Sequence, residues 1–348
     1  MAESKYPRLD LLQKTQDNAE EIYKPTKFWS NQCNRLSSDI CEHGIENFRQ
    51  IQSCLGMFVP SYGFHDMKVN MGMYDKVVGT LTDFFLNSEK YGTYLMQYMS
   101  GEYQALSDYR VFRASDQNSK PHISNISESK IGNPENQFEF DGNTYSRSML
   151  NYALGINFLK QHVDTSDIEV VMEVGGGFGT LGEIILNDDR NNAFYIDIDI
   201  APTNFASSYY LEQLLGEEHF GSFEKLKDNG TLKISELRKD YKATVLPSFE
   251  IERLEGEIDL FVNFISFQEM EPNVVENYLK HVIRLKPKYI MLRNMNKGKN
   301  QKSVDTPVIS DHYDEFVGHY ELIATNVRPF GYLTPDGFES ELRIYKHK

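Results

Sequence analysis

One segment of the chain, residues 168–186, constrains the fold more than any other. Its first part, residues 168–172, is apolar and rich in β-branched side chains, which is typical of a buried strand. A turn with glycines at 175, 176, 177 and 179 follows, and residues 180–186 have the apolar spacing of a helix. A strand, a glycine-rich turn and a helix in this order predict a nucleotide-binding edge in an α/β fold, because residues without a Cβ let the backbone approach a ligand.

Two classes of nucleotide site use such a turn, and the glycine spacing separates them. A dinucleotide site needs G-x-G-x-x-G directly after the strand, but counting from Gly175 puts Thr180 where the third glycine should be. The register that begins at Gly177 has all three glycines but starts three residues beyond the strand. The pattern E-x-G-x-G-x-G fits in full from Glu173 to Gly179. This pattern resembles motif I of the S-adenosylmethionine-dependent methyltransferases, which implies that Glu173, Gly175, Gly177 and Gly179 bind that cofactor.

A second acidic residue lies at the distance expected for a ribose ligand. Asp197 closes the apolar run 193–196, in the second strand of the predicted sheet. We expect it at the tip of that strand, where a carboxylate can accept hydrogen bonds from both ribose hydroxyls. The combination of Glu173, the glycines and Asp197 therefore favours a nucleotide cofactor over an ordinary turn.

The rest of the pattern predicts the sheet. Strands and helices alternate after residue 168, which is typical of a parallel sheet. We expect strands near 169–174, 194–198, 243–246, 259–264, 289–293, 321–325 and 341–345. The last two are joined by a segment with prolines and glycines but no helical pattern, so they should be antiparallel to each other. Five parallel strands with a terminal antiparallel pair form the Rossmann-like seven-stranded sheet of methyltransferases, whereas a dinucleotide fold would continue with another βαβ unit.

The N-terminal part of the chain has a different pattern. Residues 1–110 show mostly helical spacing, as in 75–87, and Ser, Asn, Pro and Gly interrupt 114–143, which predicts a long connecting loop. Ser146 is expected to cap the helix before the first strand. We therefore divide the chain into a mainly helical region, 1–140, and an α/β cofactor-binding domain, 141–348. The aromatic-rich segment 58–65 is a candidate for stacking on a sugar ring, which would make the helical region a cap over the sheet.

Composition and motif spacing limit the classes of binding partner and the cellular compartment that we expect. The formal net charge of −15 argues against general nucleic-acid binding, which needs a basic surface. The sequence contains no apolar run of about 18 residues, so we expect no transmembrane segment. The first residues show no apolar leader. Three cysteines, Cys33, Cys41 and Cys54, favour free thiols in a reducing cytoplasm. No group of side chains has metal-ligand spacing, so we name no metal ligand, and a requirement for a divalent ion stays open. The oligomeric state stays open, a homo-oligomer included.

Chemistry is expected directly after the fourth strand, because ligands of doubly wound sheets bind at the carboxyl ends of strands. Glu269 could take a proton there from an attacking hydroxyl. It could also favour the N-terminus of the helix that begins near Pro272, and both interpretations stay open. His281, in that helix, should face solvent. Weaker candidates for the site are Arg293, Asn294 and Asn296 after the fifth strand, and His65, His122, Asp311 and His312 elsewhere.

Several short motifs occur together in an order that resembles one family. They are IGNP at 131–134, DGNTYS at 141–146, EVGGGFG at 173–179, YID at 195–197 and SFQEM at 266–270. The combination is similar to the bacterial sugar O-methyltransferases found among genes for surface polysaccharides, over roughly residues 50–348. The resemblance implies S-adenosylmethionine as cofactor and a sugar, nucleotide sugar or glycan as acceptor. It implies catalytic roles for Glu269 and Gln268 and a cofactor contact for Ser266. Related small-molecule O-methyltransferases have a histidine base after the fourth strand, where this chain has Gln268 and Glu269.

Two other functions are compatible with the same segment. A NAD- or flavin-dependent oxidoreductase could use the turn, although the glycine register and the 172 residues before the motif disfavour it. A non-catalytic cofactor-binding subunit would keep Glu173, the glycines and Asp197 but show no turnover. Binding of S-adenosylhomocysteine rather than NAD would exclude the oxidoreductase.

Overall fold

A computed structural model describes residues 4–63, 80, 89–300, 302–326, 333–334, 337–338 and 340–348. The expected helix at 75–87 and the candidate His65 lie outside these residues, except for residue 80. In the described part the helices are α1 (Pro7–Asp17), α2 (Lys27–His43), α3 (Gln52–Met57), α4 (Glu89–Ser100), α5 (Glu102–Ser115), α6 (Arg147–His162), α7 (Thr180–Leu186), α8 (Thr203–Leu215), α9 (Phe223–Leu226), α10 (Ile234–Asp240), α11 (Pro272–Arg284) and α12 (Ser310–Val317). None of the helices described is both long enough and apolar enough to cross a bilayer.

The strands lie mainly in the second half of the chain. They are β1 (Phe138–Phe140), β2 (Asn143–Tyr145), β3 (Val170–Val174), β4 (Phe194–Asp199), β5 (Phe220–Gly221), β6 (Leu232–Lys233), β7 (Ala243–Pro247), β8 (Leu254–Glu255), β9 (Leu260–Phe264), β10 (Tyr289–Met295), β11 (Tyr320–Asn326), β12 (Leu333–Thr334), β13 (Gly337–Phe338) and β14 (Ser340–His347). The strands expected from the sequence correspond to β3, β4, β7, β9, β10, β11 and β14.

One mixed sheet of eight strands organises the α/β fold, in the order β11-β14-β10-β9-β3-β4-β7-β5. The five strands β10, β9, β3, β4 and β7 are parallel to one another. Strand β14 runs antiparallel to both β10 and β11, so the expected terminal antiparallel pair is present. The expected total of seven strands is wrong, because β5 pairs with the edge of β7. Two residues are too few to give a periodic signal in the sequence.

The central strands are apolar without alternation because both faces of the sheet are covered. Every residue of β3 and of β9 is buried. This is the pattern expected for parallel strands between two layers of helices. The apolar runs that the sequence shows at these positions are therefore core strands, and their carboxyl ends meet at one edge of the sheet.

The connection between the helical region and the sheet is mostly irregular, as its composition predicts. No helix or strand occurs between the end of α5 at Ser115 and the start of β1 at Phe138, all of which the structure describes. The short hairpin of β1 and β2 was not expected, since three-residue strands carry no periodicity. Ser146 caps α6 as predicted, with its Oγ accepting a hydrogen bond from the backbone N–H of Met149 at 3.2 Å.

Residues 16–29, which we name the N-terminal strap, cross the carboxyl edge of the sheet. The Gln16 carboxamide oxygen accepts a hydrogen bond from the backbone N–H of Ala201, just after β4, at 2.6 Å. The backbone carbonyl of Tyr23 accepts one from the Ser248 hydroxyl, after β7, at 2.7 Å. The strap therefore touches segments that follow two different strands of the sheet.

The strap also changes the surroundings of α11. The expected solvent-facing position of His281 is wrong, because its side chain is only 16% exposed. Its Nε2 lies 3.1 Å from the Tyr23 hydroxyl, and the two rings are 6.5 Å apart. Helical periodicity shows which face of α11 meets the sheet, but not that a segment 258 residues away covers part of another face.

Candidate functional site

A cleft opens at the carboxyl ends of β3, β4, β9 and β10. Its empty space, counted to the open mouth, is about 1060 Å³. The wall consists of the glycine turn after β3, the end of β4, the segment after β9, and residues from the N-terminal strap, α3 and α6. The chain leaves β3 towards β4 and β7 on one side, while β9 and β10 lie on the other, so the cleft lies at a topological switch point of the sheet.

The glycine turn forms the floor of this cleft. Gly175 has a φ of +74°, and a Cβ built there would collide with the side chain of Ser266. Gly177 has a φ of +64°, and a Cβ there would meet only the carbonyl oxygen of Phe58, at 3.5 Å. A side chain at 177 would therefore extend into the cleft, whereas glycine leaves that space open. Gly179 does not line the cleft. It is the N-cap residue of α7.

Two of the acidic residues expected to bind the cofactor lie beneath the turn and not in the cleft. Glu173 is fully buried and accepts hydrogen bonds from the hydroxyls of Tyr152 and Tyr195, both at 2.7 Å. Asp197 is also fully buried, and its Oδ1 accepts a hydrogen bond from the backbone N–H of Gly176 at 3.1 Å. Burial raises the pKa of both carboxyls. In this structure Glu173 and Asp197 do not line the cleft and support the turn from below, and their expected contact with a cofactor stays a prediction.

The residue at the tip of the second sheet strand is Asp199. The strand expected at 194–198 extends to Asp199 in the structure, so Asp197 lies two residues before the end of β4. Side chains two residues apart in a strand point to the same face, and the outer one is closer to the carboxyl edge. Asp199 lines the cleft, and its Oδ1 accepts a hydrogen bond from the backbone N–H of Ile200 at 2.7 Å. In the sequence, Asp199 is recognisable as a second aspartate two residues after Asp197.

Polar side chains tie the ends of β3, β9 and β10 together. The Ser266 hydroxyl donates to the carbonyl of Val174 at 3.0 Å, and the Asn263 amide donates to the same carbonyl at 2.8 Å. The Asn294 amide donates in turn to the Asn263 carboxamide oxygen at 3.0 Å. Ser266 lines the cleft as expected, whereas Asn294 is engaged in this network and does not.

Gln268 belongs to the same network. Its backbone N–H donates to the Asn294 carboxamide oxygen at 3.1 Å, and its own carboxamide oxygen accepts from the backbone N–H of Met295 at 2.7 Å. It does not line the cleft. The expected catalytic role of Gln268 therefore has no support from its position. Its two hydrogen bonds connect the segment after β9 to the end of β10.

Glu269 lines the cleft, and each of its carboxylate oxygens accepts a hydrogen bond. The Lys299 ammonium lies 2.6 Å from Oε1, and the indole N–H of Trp29 lies 2.9 Å from Oε2. Burial raises the pKa of Glu269, while the Lys299 charge and both hydrogen bonds act in the opposite direction. The interpretation that Glu269 caps α11 is wrong, because the N-cap residue is Glu271.

Ile265 has a backbone conformation that branched residues rarely adopt. Its φ is +75° and its ψ is −35°, and its backbone N–H donates to the carbonyl of Arg293 at 2.7 Å. It lines the cleft between β9 and Glu269. Positive φ at a β-branched residue costs free energy, and such strain concentrates at functional sites. The sequence contains no sign of this feature.

Aromatic and cationic groups complete the wall on the side of β10. The Tyr152 and Phe264 rings stack with centroids 4.7 Å apart. The guanidinium of Arg293 lies 5.8 Å from the Phe264 ring, and burial lowers the pKa of Arg293 to about 10. Arg293 is 7% exposed and lines the cleft, as its position after the fifth strand suggested.

The histidines named from the sequence lie elsewhere. The backbone N–H of His122 donates to the Asn191 side chain at 2.6 Å, near the start of β4 and so at the opposite edge of the sheet. His312 lies in α12, where its Nδ1 accepts a hydrogen bond from the backbone N–H of Ile309. Neither lines the cleft. Within the described ranges, no group of three or more His, Cys, Asp or Glu side chains could hold a metal ion.

Comparison of the sequence with protein-family models gave no match, and comparison with curated proteins gave none either. Solved structures similar to this chain include the mitomycin 7-O-methyltransferase MmcR, with 10% identity, a TM-score of 0.36 and 57% of each chain covered. The pyocyanin biosynthetic protein PhzM has 10% identity, a TM-score of 0.38, and coverage of 57% of this chain and 56% of its own. The magnesium protoporphyrin IX methyltransferase ChlM from Synechocystis PCC 6803, with bound SAM, has 10% identity, a TM-score of 0.37, and coverage of 58% and 85%. The match spans just over half the length of MmcR and of PhzM. At these identities and TM-scores, the similarities do not support the assignment of a function. The function is therefore inferred from the cleft.

Proposed function

We propose that the protein is an S-adenosylmethionine-dependent O-methyltransferase that acts on a sugar or a sugar-containing acceptor. One observation carries the proposal: the E-x-G-x-G-x-G turn leaves open space at Gly177, and a carboxylate at the tip of β4 faces the same cleft. A nucleoside with a short charged chain fits such a site, since the turn accommodates the chain and an acidic strand tip binds ribose hydroxyls. The motif resemblance supports a sugar acceptor in surface polysaccharide or glycoconjugate synthesis.

The residues of the cleft divide between the parts of this cofactor. Asp199 would accept hydrogen bonds from the ribose hydroxyls, in the role that the sequence suggested for Asp197. Gly175, Gly177 and Ser266 would lie against the rest of the cofactor, while Glu173 and Asp197 support the glycine turn from below. When bound, the cofactor supplies an electrophilic methyl group on a positively charged sulfur.

Glu269 is the proposed proton acceptor. An acceptor hydroxyl has to lose its proton as its oxygen bonds to the methyl carbon, and a carboxylate within reach can take it. In the described part of the chain, Asp199 and Glu269 are the acidic residues that line the cleft. A carboxylate has about four lone-pair positions, so one donor on each oxygen still leaves positions for the acceptor hydroxyl.

The N-terminal region would supply acceptor specificity. Trp29, Met57, Phe58 and Pro60 also line the cleft, so residues before 140 form part of its wall. Aromatic and apolar groups of this kind pack against sugar rings, and Arg293 can donate hydrogen bonds to hydroxyls. We therefore keep the division into a helical cap, 1–140, and a cofactor-binding domain, 141–348, as part of the proposal.

Calorimetric titration tests the proposal directly. The wild-type protein should bind S-adenosylhomocysteine and not NAD, and transfer of a labelled methyl group to one of a panel of sugars and sugar nucleotides should follow. Binding of NAD alone would favour an oxidoreductase. Binding of S-adenosylhomocysteine without transfer to any acceptor would favour a non-catalytic cofactor-binding subunit.

A further inference from the structure

The carboxylate of Glu269 is held from two directions by residues that are far apart in the chain. Lys299 follows β10 and donates to Oε1, while Trp29 in α2 donates to Oε2, across 240 residues of sequence. Trp29 is 9% exposed and Glu269 is 7% exposed, and both line the cleft. Hydrogen bonds in such a shielded place fix the plane of the carboxylate more firmly than solvent-exposed bonds would.

Neighbouring contacts from the strap hold Lys299 and the backbone of Glu269 in place. The Lys299 ammonium lies 3.5 Å from the centroid of the Phe28 ring, a favourable cation–π geometry. The Thr26 hydroxyl donates to the backbone carbonyl of Glu269 at 2.7 Å. The last residues of the N-terminal strap therefore bind the side chain and the backbone of Glu269, and they also contact its cationic partner.

We infer that Trp29 and Lys299 are positioning residues for Glu269, and that the N-terminal strap completes the reaction site. The inference rests on the proposed function, since it takes Glu269 as the proton acceptor. An ammonium and an N–H donor both favour the ionised carboxylate, which is the form that can accept a proton. The strap would then contribute to chemistry through Glu269, in addition to covering the cleft.

The electrostatic surroundings give the direction of the expected change. Burial raises the pKa of Glu269, and the ion pair with Lys299 followed by the Trp29 hydrogen bond opposes that effect. Loss of either donor should therefore raise the pKa further. The other ionisable groups of the described residues that line the cleft are Lys24, Tyr152, Asp199, Tyr278 and Arg293. A test must separate Glu269 from these groups.

The fluorescence of Trp29 provides that test without an acceptor, because the chain has one tryptophan. We expect the wild-type emission to change with pH at a single midpoint. Glu269→Gln should abolish the change, and Lys299→Met should move the midpoint upward by about one pH unit or more, a tenfold change in proton affinity. Lys297→Met, which removes an exposed ammonium from the same segment, should leave the midpoint in place.

Kinetics provide the second readout once an acceptor is found. Trp29→Phe keeps an aromatic ring and removes the N–H donor. It should lower kcat about tenfold to a hundredfold, leave the affinity for S-adenosylhomocysteine within threefold, and move the acid limb of the kcat profile to higher pH. A merely structural Trp29 would reduce stability without moving that limb, which would overturn the inference.

The failure of the inference and the failure of the proposed function give different results. Wild-type emission that is independent of pH, or a midpoint that Lys299→Met does not move, would overturn the positioning roles even in a protein that binds S-adenosylhomocysteine. Absence of S-adenosylhomocysteine binding in the wild-type protein would instead overturn the proposed function.

Discussion

Asp199 lies two residues beyond Asp197 on the same face of β4, and of these two carboxylates only the outer one reaches the cleft. The inner one accepts a hydrogen bond from the backbone of the glycine turn. The proposed ligand-binding role of Asp199 and the supporting role of Asp197 therefore fall on two acidic residues of one strand, and mutations can separate them.

Asp199→Ala should weaken binding of S-adenosylhomocysteine by about tenfold to a hundredfold, because two hydrogen bonds to the ribose would be lost. Asp197→Ala should mainly reduce stability, by about 1–3 kcal/mol, since the buried N–H of Gly176 loses its acceptor. Calorimetry measures the affinities and thermal unfolding measures the stabilities. Equal affinity losses in two equally stable variants would contradict the assignment of the ribose to Asp199.

Gly177→Val should abolish cofactor binding while the fold survives. The new side chain would fill space in the cleft, and its backbone would have to keep a φ of +64°. Gly230→Val is a suitable control, because a Cβ at Gly230 meets nothing within 4 Å and this residue does not line the cleft. Circular dichroism should report a near-native spectrum for both variants. Global unfolding of Gly177→Val alone would mean that the turn has a purely structural role.

Glu269→Gln should keep the affinity for S-adenosylhomocysteine and lose about 10²–10⁴ in turnover. The substitution preserves the shape of the side chain and an oxygen that can accept the Trp29 hydrogen bond, but it removes the basic group. A methyl-transfer assay under saturating cofactor measures the effect. Near-normal turnover would show that another group takes the proton.

Stability should fall as the pH rises from about 5 to about 8, in part because of Glu173. Burial, assisted by the neighbouring Asp197, raises the pKa of Glu173 to about 8 in the folded protein. An unfolded chain releases that proton near pH 4.3. Between these values the folded state binds more protons than the unfolded state, so its stability decreases with increasing pH.

Glu173→Gln tests this sign, because the variant has no proton to lose at that position. Its melting temperature should fall less steeply between pH 5 and 8 than that of the wild type. Parallel pH dependences in the two proteins would show that Glu173 does not bind a proton in this range. Thermal unfolding followed by circular dichroism at matched ionic strength is sufficient.

Much of the sheet could be predicted from local patterns, because apolar runs and turn residues are local properties. Strand β3, the glycine turn and the helix cap at Ser146 all belong to this class. The end of β4 could not be placed, since an acidic residue inside a buried strand is stabilised by contacts with the turn above it. The two tyrosines that bind Glu173 come from other elements, and no spacing rule connects them.

The two hydrogen-bond donors to Glu269 could not be predicted from the sequence for the same reason. The sequence predicted mostly helices in residues 1–110 but could not show which strand end Trp29 would meet. The strained backbone of Ile265 depends on the surrounding packing, and its local sequence resembles an ordinary strand end. Sequence patterns thus identified the elements that carry the cleft, while contacts across long stretches of chain determined which side chains face it.

The strap has a consequence for the order in which the protein matures. Trp29 leaves the ribosome long before its partner Glu269, since 240 residues separate them. At roughly 5–20 residues per second, translation of that interval takes about 12–48 s. During this time the N-terminal strap lacks one of the surfaces against which it packs in the folded protein. The wall of the cleft can therefore be completed only after Glu269 has been synthesised, because Trp29 has no carboxylate partner before then.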